Sequence, residues 1–217
     1  MRSPPIASGG ARSRGSDRLA APGRLARRGP GATRRKDTLG GRLARKLARR
    51  MRRPVRLRTA AVVGAESGDL PAQLATLADE YAADVAVIVV GGNDVTHRVP
   101  LSASVAHLQE TIAQLRSRGT EVVVGTCPDL RALRPVPQPL RSLAARWSRQ
   151  LAAAQAIAVA REGATAVDLR RSVGPLFLAQ PNEMFSMDRF HPSALGYRRM
   201  AEALLPALVA ALRTPDR

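Results

Sequence analysis

Asp188 and His191 stand three residues apart in Asp188-Arg189-Phe190-His191-Pro192, just ahead of an apolar, helix-periodic stretch. On a turn, this spacing lets the carboxylate accept the imidazole Nδ1–H and hold the tautomer whose Nε2 is free to take a proton. A base of that kind serves hydrolysis when nearby donors can stabilise a developing negative charge. Two segments offer such donors. Gly91-Gly92-Asn93-Asp94 follows a β-branched run directly, and Val63-Gly64-Ala65-Glu66-Ser67-Gly68 places a glycine turn after another apolar run. Each has a plain structural reading on its own. Asp/His pairs occur as surface contacts, Asn-Asp pairs favour turns, and glycine after a strand is most often a turn.

The elements that must position these residues alternate along the chain. Leu39, Leu43, Leu47 and Met51 recur every fourth residue with Arg and Lys between them, which predicts an amphipathic helix from about Asp37 that Pro54 ends. A strand is predicted from Val55 to Val63 and a helix from Leu70 to Tyr81. Asp84 to Val90 and Glu121 to Thr126 read as strands buried on both faces of a parallel sheet. Between them a helix runs to about Arg118, capped by Ser102 or Ser104, with Gly119 at its end. A Pro-rich loop then leads to a long helix ending near Glu162, a short strand from Thr165 to Leu169, and a final helix from Ala194 to Leu212. Strands alternating with helices predict an α/β fold around a mostly parallel sheet, whose ligands bind beyond the carboxyl ends of the strands. All three candidate segments fall at or near those ends.

Composition narrows the class. The chain has 217 residues, 45% of them hydrophobic, with one cysteine and 3% aromatics. That suits one globular domain, excludes an internal disulfide framework, and is thin for base stacking on single-stranded nucleic acid. No apolar run reaches the length of a membrane span. The formal net charge of +18 is concentrated at one end. Residues 1–58 hold 19 Arg and Lys against Asp17 and Asp37, a net +17, while residues 59–217 balance 16 basic against 15 acidic residues. Residues 1–36 are rich in Arg, Gly, Pro, Ala and Ser, and Ile6, Leu19 and Leu25 are their only large aliphatics. The stretch therefore reads as disordered, with too few apolar residues for a strand and without the apolar region of a secretory signal.

Taken together and in this order, the three segments resemble the SGNH hydrolases, also called GDSL-type esterases and lipases. Gly91 to Asp94 matches the family's G-x-N-D block, Asp188 to His191 matches its D-x-x-H block, and Gly64 is the best candidate for its second-block glycine. The resemblance covers roughly residues 37–212. It implies a three-layer α/β/α fold with a mostly parallel, flavodoxin-like sheet. It also implies a Ser-His-Asp ester hydrolase in which His191 is the general base, Asp188 orients it, and Gly64 and Asn93 donate to the oxyanion. Small-molecule or lipid esters are the implied substrates. No cofactor is implied, and no metal-ligand spacing exists.

The family's first block, a strand followed by Gly-Asp-Ser with the nucleophilic serine, has no counterpart here. Ser16-Asp17 has the reversed order, so the nucleophile is unknown and the first strand is expected to be missing. Gly23 to Gly29 can, however, be encoded so that a reading one base later gives Ala-Asp-Ser-Leu-Ala-Ala-Gly, close to the missing block. Residues 1–36 are accordingly expected to be a basic segment, disordered or out of frame, ahead of a hydrolase-like domain over residues 37–217.

The alternative is a non-catalytic protein, either a pseudoenzyme or a domain with a basic arm for nucleic acid or an anionic membrane. Arg42, Arg45, Lys46, Arg49, Arg50, Arg52 and Arg53 belong to the globular part, where a solvated helix face is the bland account. No specific nucleic-acid partner is expected, the location is expected to be cytoplasmic, and the oligomeric state is open. Cys127 reads as core, Trp147 as a packing anchor, His97 as a residue that could line the pocket, and His107 as a surface position.

Overall fold

The computed structural model describes residues 17–21, 35–77 and 81–213. Among these residues, five parallel strands form one sheet: β1 (Asp17–Ala21), β2 (Val55–Thr59), β3 (Val85–Val89), β4 (Glu121–Gly125) and β5 (Thr165–Val167), in the order β2-β1-β3-β4-β5. The order reverses between β1 and β3, which is where a doubly wound sheet opens a crevice for ligand. Among the described residues, nine α-helices connect and cover the strands: α1 (Leu39–Met51), α2 (Leu70–Ala75), α3 (Gly92–Thr96), α4 (Leu101–Ser117), α5 (Leu140–Arg161), α6 (Leu169–Ser172), α7 (Gly174–Ala179), α8 (Pro181–Met184) and α9 (Ala194–Ala211).

The β-branched strands divide their side chains between two cores. Val85 and Val87 of β3 and Val123 of β4 join Leu43 and Leu47 of α1 and Ala201, Leu204 and Leu208 of α9 on one face. Ala86, Ile88, Val122 and Val124 join Leu70, Leu74, Leu108, Ile112 and Val159 on the other. Alternate side chains thus feed opposite faces, and helices cover both, which is the three-layer α/β/α arrangement that the resemblance implied. The four-residue spacing of α1 turns Leu43 and Leu47 fully inward. Thr38 caps this helix, accepting from the Gly41 amide at 3.2 Å, and Arg52, in the left-handed region at φ 53°, ends it two residues before Pro54.

The first strand is present, correcting the expectation that it is missing. Asp17–Ala21 lies between β2 and β3, in register from Asp17 opposite Val55 to Ala21 opposite Thr59. Two flanking strands offer backbone partners along both edges, and those bonds use amides and carbonyls that every residue carries, so a segment poor in apolar residues is ordered by its neighbours. The sheet therefore includes residues on the near side of the boundary expected at 37; residues 1–16 and 22–34 lie outside the described residues. β2 is shorter than predicted because its register with β1 stops at Thr59, and Val62 and Val63 beyond it are exposed. α4 begins at Leu101 after Pro100, so Ser102 and Ser104 lie inside the helix and cap nothing. The helix predicted over 70–81 spans Leu70–Ala75, and residues 78–80 lie outside the described residues.

Candidate active site

The segment between α8 and α9 folds back on itself. The Ser186 amide donates to the His191 carbonyl and the Ser193 amide to the Met184 carbonyl, both at 2.8 Å, and Phe185 and Pro192 form an antiparallel bridge. Ser193 then caps α9, accepting from the amides of Leu195 and Gly196 at 3.1 Å. A Cβ on Gly196 would fall on the Met184 carbonyl, so only glycine lets α9 start this close to the turn.

Within this turn Asp188 is saturated with donors. Its Oδ2 accepts the His191 Nδ1–H at 2.7 Å. Its Oδ1 accepts from the Ser186 hydroxyl at 2.6 Å and from the amides of Phe190 and His191 at 2.9 Å. Partial burial pulls the carboxyl's pKa up, but these hydrogen bonds outweigh it and hold the group well below the usual carboxylate range. Asp188 is thus a fixed anion, and with Nδ1 committed to it, Nε2 is the imidazole nitrogen left for proton transfer. Tyr197, one turn into α9, has its hydroxyl pushed up by burial and by the Asp188 charge.

The other two segments lie across the same cavity. Gly91 has φ 118°, and a Cβ there would press on Cys127, Gln155 and Leu151 at 3.0 Å, so both conformation and space call for glycine where β3 turns into α3. Asn93 then donates through Nδ2 to the Ala65 carbonyl at 3.0 Å, which leaves the second amide hydrogen available. Gly64, at φ 79°, makes no hydrogen bond through its amide among the described residues. Asp94, buried, accepts from the Ser67 amide at 3.1 Å and from the Ser67 hydroxyl. His97 Nδ1 meets Glu66 Oε1 at 2.5 Å. Three links therefore tie the Gly64 loop to α3.

Gly64, Asn93 and His191 line one cavity of about 340 Å³. Its walls are largely aliphatic and aromatic, with Leu39, Leu133, Phe177 and Phe190 among them, and they fit an apolar acyl group better than a charged one. The hydroxyls on the described lining belong to Thr38, Thr59 and Tyr197; no serine or cysteine is among them.

Cys127 is buried core; burial first, then the charges of Asp94 and Asp129, push its thiol far up, away from the reactive thiolate form. Trp147 packs against the core that α1 and α9 share. His97 does not line the cavity, because Glu66 holds it outside while itself lining the wall. His107 is half-buried, with its ring against Gly68, since α4 packs on the Ser67–Asp69 turn and not against solvent. Ser186 and the Ser67–Asp94 pair went unnoticed in the sequence. A serine two residues before the aspartate was the available signal for the first, and nothing local signalled the second. Among the described residues, no group of three or more His, Cys, Asp or Glu gathers to hold a metal, and no helix is long and apolar enough to cross a membrane.

A parallel α/β/α fold with these segments at its strand ends is that of the GDSL-like lipase/acylhydrolase family, which matches residues 25–199, and the chain belongs to it. It is 41% identical over 185 residues to the GDSL-like esterase Rv1075c of Mycobacterium tuberculosis, a match covering 85% of this chain and 59% of that protein. The chain thus aligns with less than two thirds of that relative's length. Its fold resembles an extracellular lipase from Streptomyces rimosus, with a TM-score of 0.67 at 19% identity over 90% of this chain and 100% of that one. It also resembles the psychrotrophic esterase EstA from Pseudoalteromonas sp., with a TM-score of 0.68 at 13% identity over 92% of this chain and 100% of that one.

Proposed function

We propose that this chain carries the site of an SGNH-type ester hydrolase acting on carboxylic esters with an apolar acyl group. The observation that carries the reading is the His191–Asp188 pair at 2.7 Å opening on a cavity that Gly64 and Asn93 also line. In this reading His191 Nε2 takes the proton of the attacking hydroxyl and returns it to the leaving alkoxide, while Asp188 stabilises the imidazolium in between. The Gly64 amide and the second Asn93 amide hydrogen hold the oxyanion of the tetrahedral intermediate. The esterase and lipase names of its relatives agree with this chemistry.

The attacking hydroxyl is the incomplete part. No serine or cysteine occurs between Ser16 and Ser67, and β1 ends at Ala21, two residues before the Gly23–Gly29 stretch whose shifted reading contains Ala-Asp-Ser. The catalytic serine belongs at that place, and the chain as written lacks it. The chain should therefore be close to inert on p-nitrophenyl acetate; strong turnover abolished by His191→Ala would contradict the missing nucleophile. Sequencing the coding DNA across Ala20 to Asp37 separates the readings. A one-base correction restoring Asp-Ser makes the protein an ordinary esterase, whereas a confirmed reading makes it a pseudoenzyme. A cytoplasmic location remains part of this proposal, read from the sequence alone.

A further inference from the structure

Ser186 is tied into the turn that carries Asp188 and His191 at three of its atoms. Its amide donates to the His191 carbonyl and its carbonyl accepts from the Arg189 amide, both at 2.8 Å. Its hydroxyl donates to Asp188 Oδ1 at 2.6 Å. Arg189 closes the turn at φ 54°, a left-handed conformation that the hydrogen bonds around it must hold.

The Asp188 and His191 side chains are 27% and 40% exposed, so water can compete for both partners of their bond. A carboxylate engaged only through Oδ2 would turn about its Cβ–Cγ bond, which has a broad torsional preference, and exchange the imidazole for water. The donors on Oδ1 oppose that rotation. Two of them are the amides of Phe190 and His191, which the backbone supplies whatever the side chain, and the third is the Ser186 hydroxyl. Burial pulls the Asp188 carboxyl up, and the bond from Ser186 is foremost among those that overcome it. The hydroxyl is committed to this carboxylate and Ser186 does not line the cavity, so it is no substitute for a nucleophilic serine.

We propose that Ser186 is a positioning residue for the Asp188–His191 pair: its hydroxyl fixes the plane of the carboxylate so that Oδ2 stays on the imidazole Nδ1. Acting through Asp188, it keeps the proton on Nδ1 and Nε2 free. The inference rests on the ester-hydrolase reading only for the use of His191 as a base.

The test uses nitrogen and proton NMR on the full chain without substrate. It involves no turnover, so its failure leaves the ester-hydrolase reading standing, and failure of that reading leaves its outcome unaffected. Ser186→Ala should raise the Nε2–H share of neutral His191 and speed exchange of its Nδ1 proton with water by about threefold or more. Ser186→Thr keeps a hydroxyl and should restore both readouts. Ser186→Cys offers only a weak donor and should resemble Ser186→Ala. The amide resonances of β3 and β4 report that each variant is folded. Should Ser186→Ala not fold, the contrast between the Thr and Cys variants decides in its place. An unchanged tautomer and exchange rate in the Ala or Cys variant, or an equal loss in the Thr variant, would overturn the proposal.

Discussion

The buried carboxylate of Asp94 accepts both the amide and the hydroxyl of Ser67, 27 residues before it in the chain. This joins the loop carrying Gly64 to the helix carrying Asn93, and the Asn93–Ala65 hydrogen bond follows from the same approach. Ser67→Ala removes the hydroxyl and leaves a fully buried carboxylate short of a donor. Denaturant unfolding should show a loss of about 1–3 kcal/mol. An unchanged midpoint would mean that the two loops hold together without this pair.

The His191 tautomer is a second expected outcome. With Asp188 Oδ2 accepting at Nδ1, neutral His191 should carry its proton on Nδ1, readable by nitrogen NMR in a chain with three histidines. Asp188→Ala should redistribute the proton toward the Nε2–H form. A spectrum already dominated by Nε2–H in the unaltered chain would contradict the hydrogen bond.

Acid stability should depend on Glu202. Partial burial raises its pKa, but bonds from Arg198, Lys46 and Arg199 outweigh that and bring it from 4.5 to about 2. A carboxylate depressed on folding stabilises the protein above its unfolded pKa and loses that contribution as pH falls through the folded value. The contribution of the α1–α9 link through Lys46 should therefore fade between about pH 4.5 and pH 2. Glu202→Gln should flatten the decline of the melting temperature over that window, and parallel declines in the two proteins would refute it.

What the sequence disclosed and what it hid have physical causes. The runs of β3 and β4 are apolar on both faces and were legible, as was the leucine stripe of α1. The Asp188–His191 spacing was legible because the interaction is local. β1 was not, because Asp-Arg-Leu-Ala-Ala carries no strand pattern and its order comes from the backbones of β2 and β3. The short helices α6, α7 and α8 span at most six residues, too few for a period to show. The Ser67–Asp94 link escaped because it depends on tertiary approach.

The measurement that bears most directly on the central claim is a gain of activity. Residues 23–29, just beyond β1, are replaced by Ala-Asp-Ser-Leu-Ala-Ala-Gly, and hydrolysis of p-nitrophenyl acetate is compared with that of the unaltered chain. If His191, Asp188, Gly64 and Asn93 form a hydrolase site lacking only its serine, turnover should rise by about 10³-fold or more, and His191→Ala in the same background should abolish it. No gain, or a gain that survives loss of His191, would contradict the account.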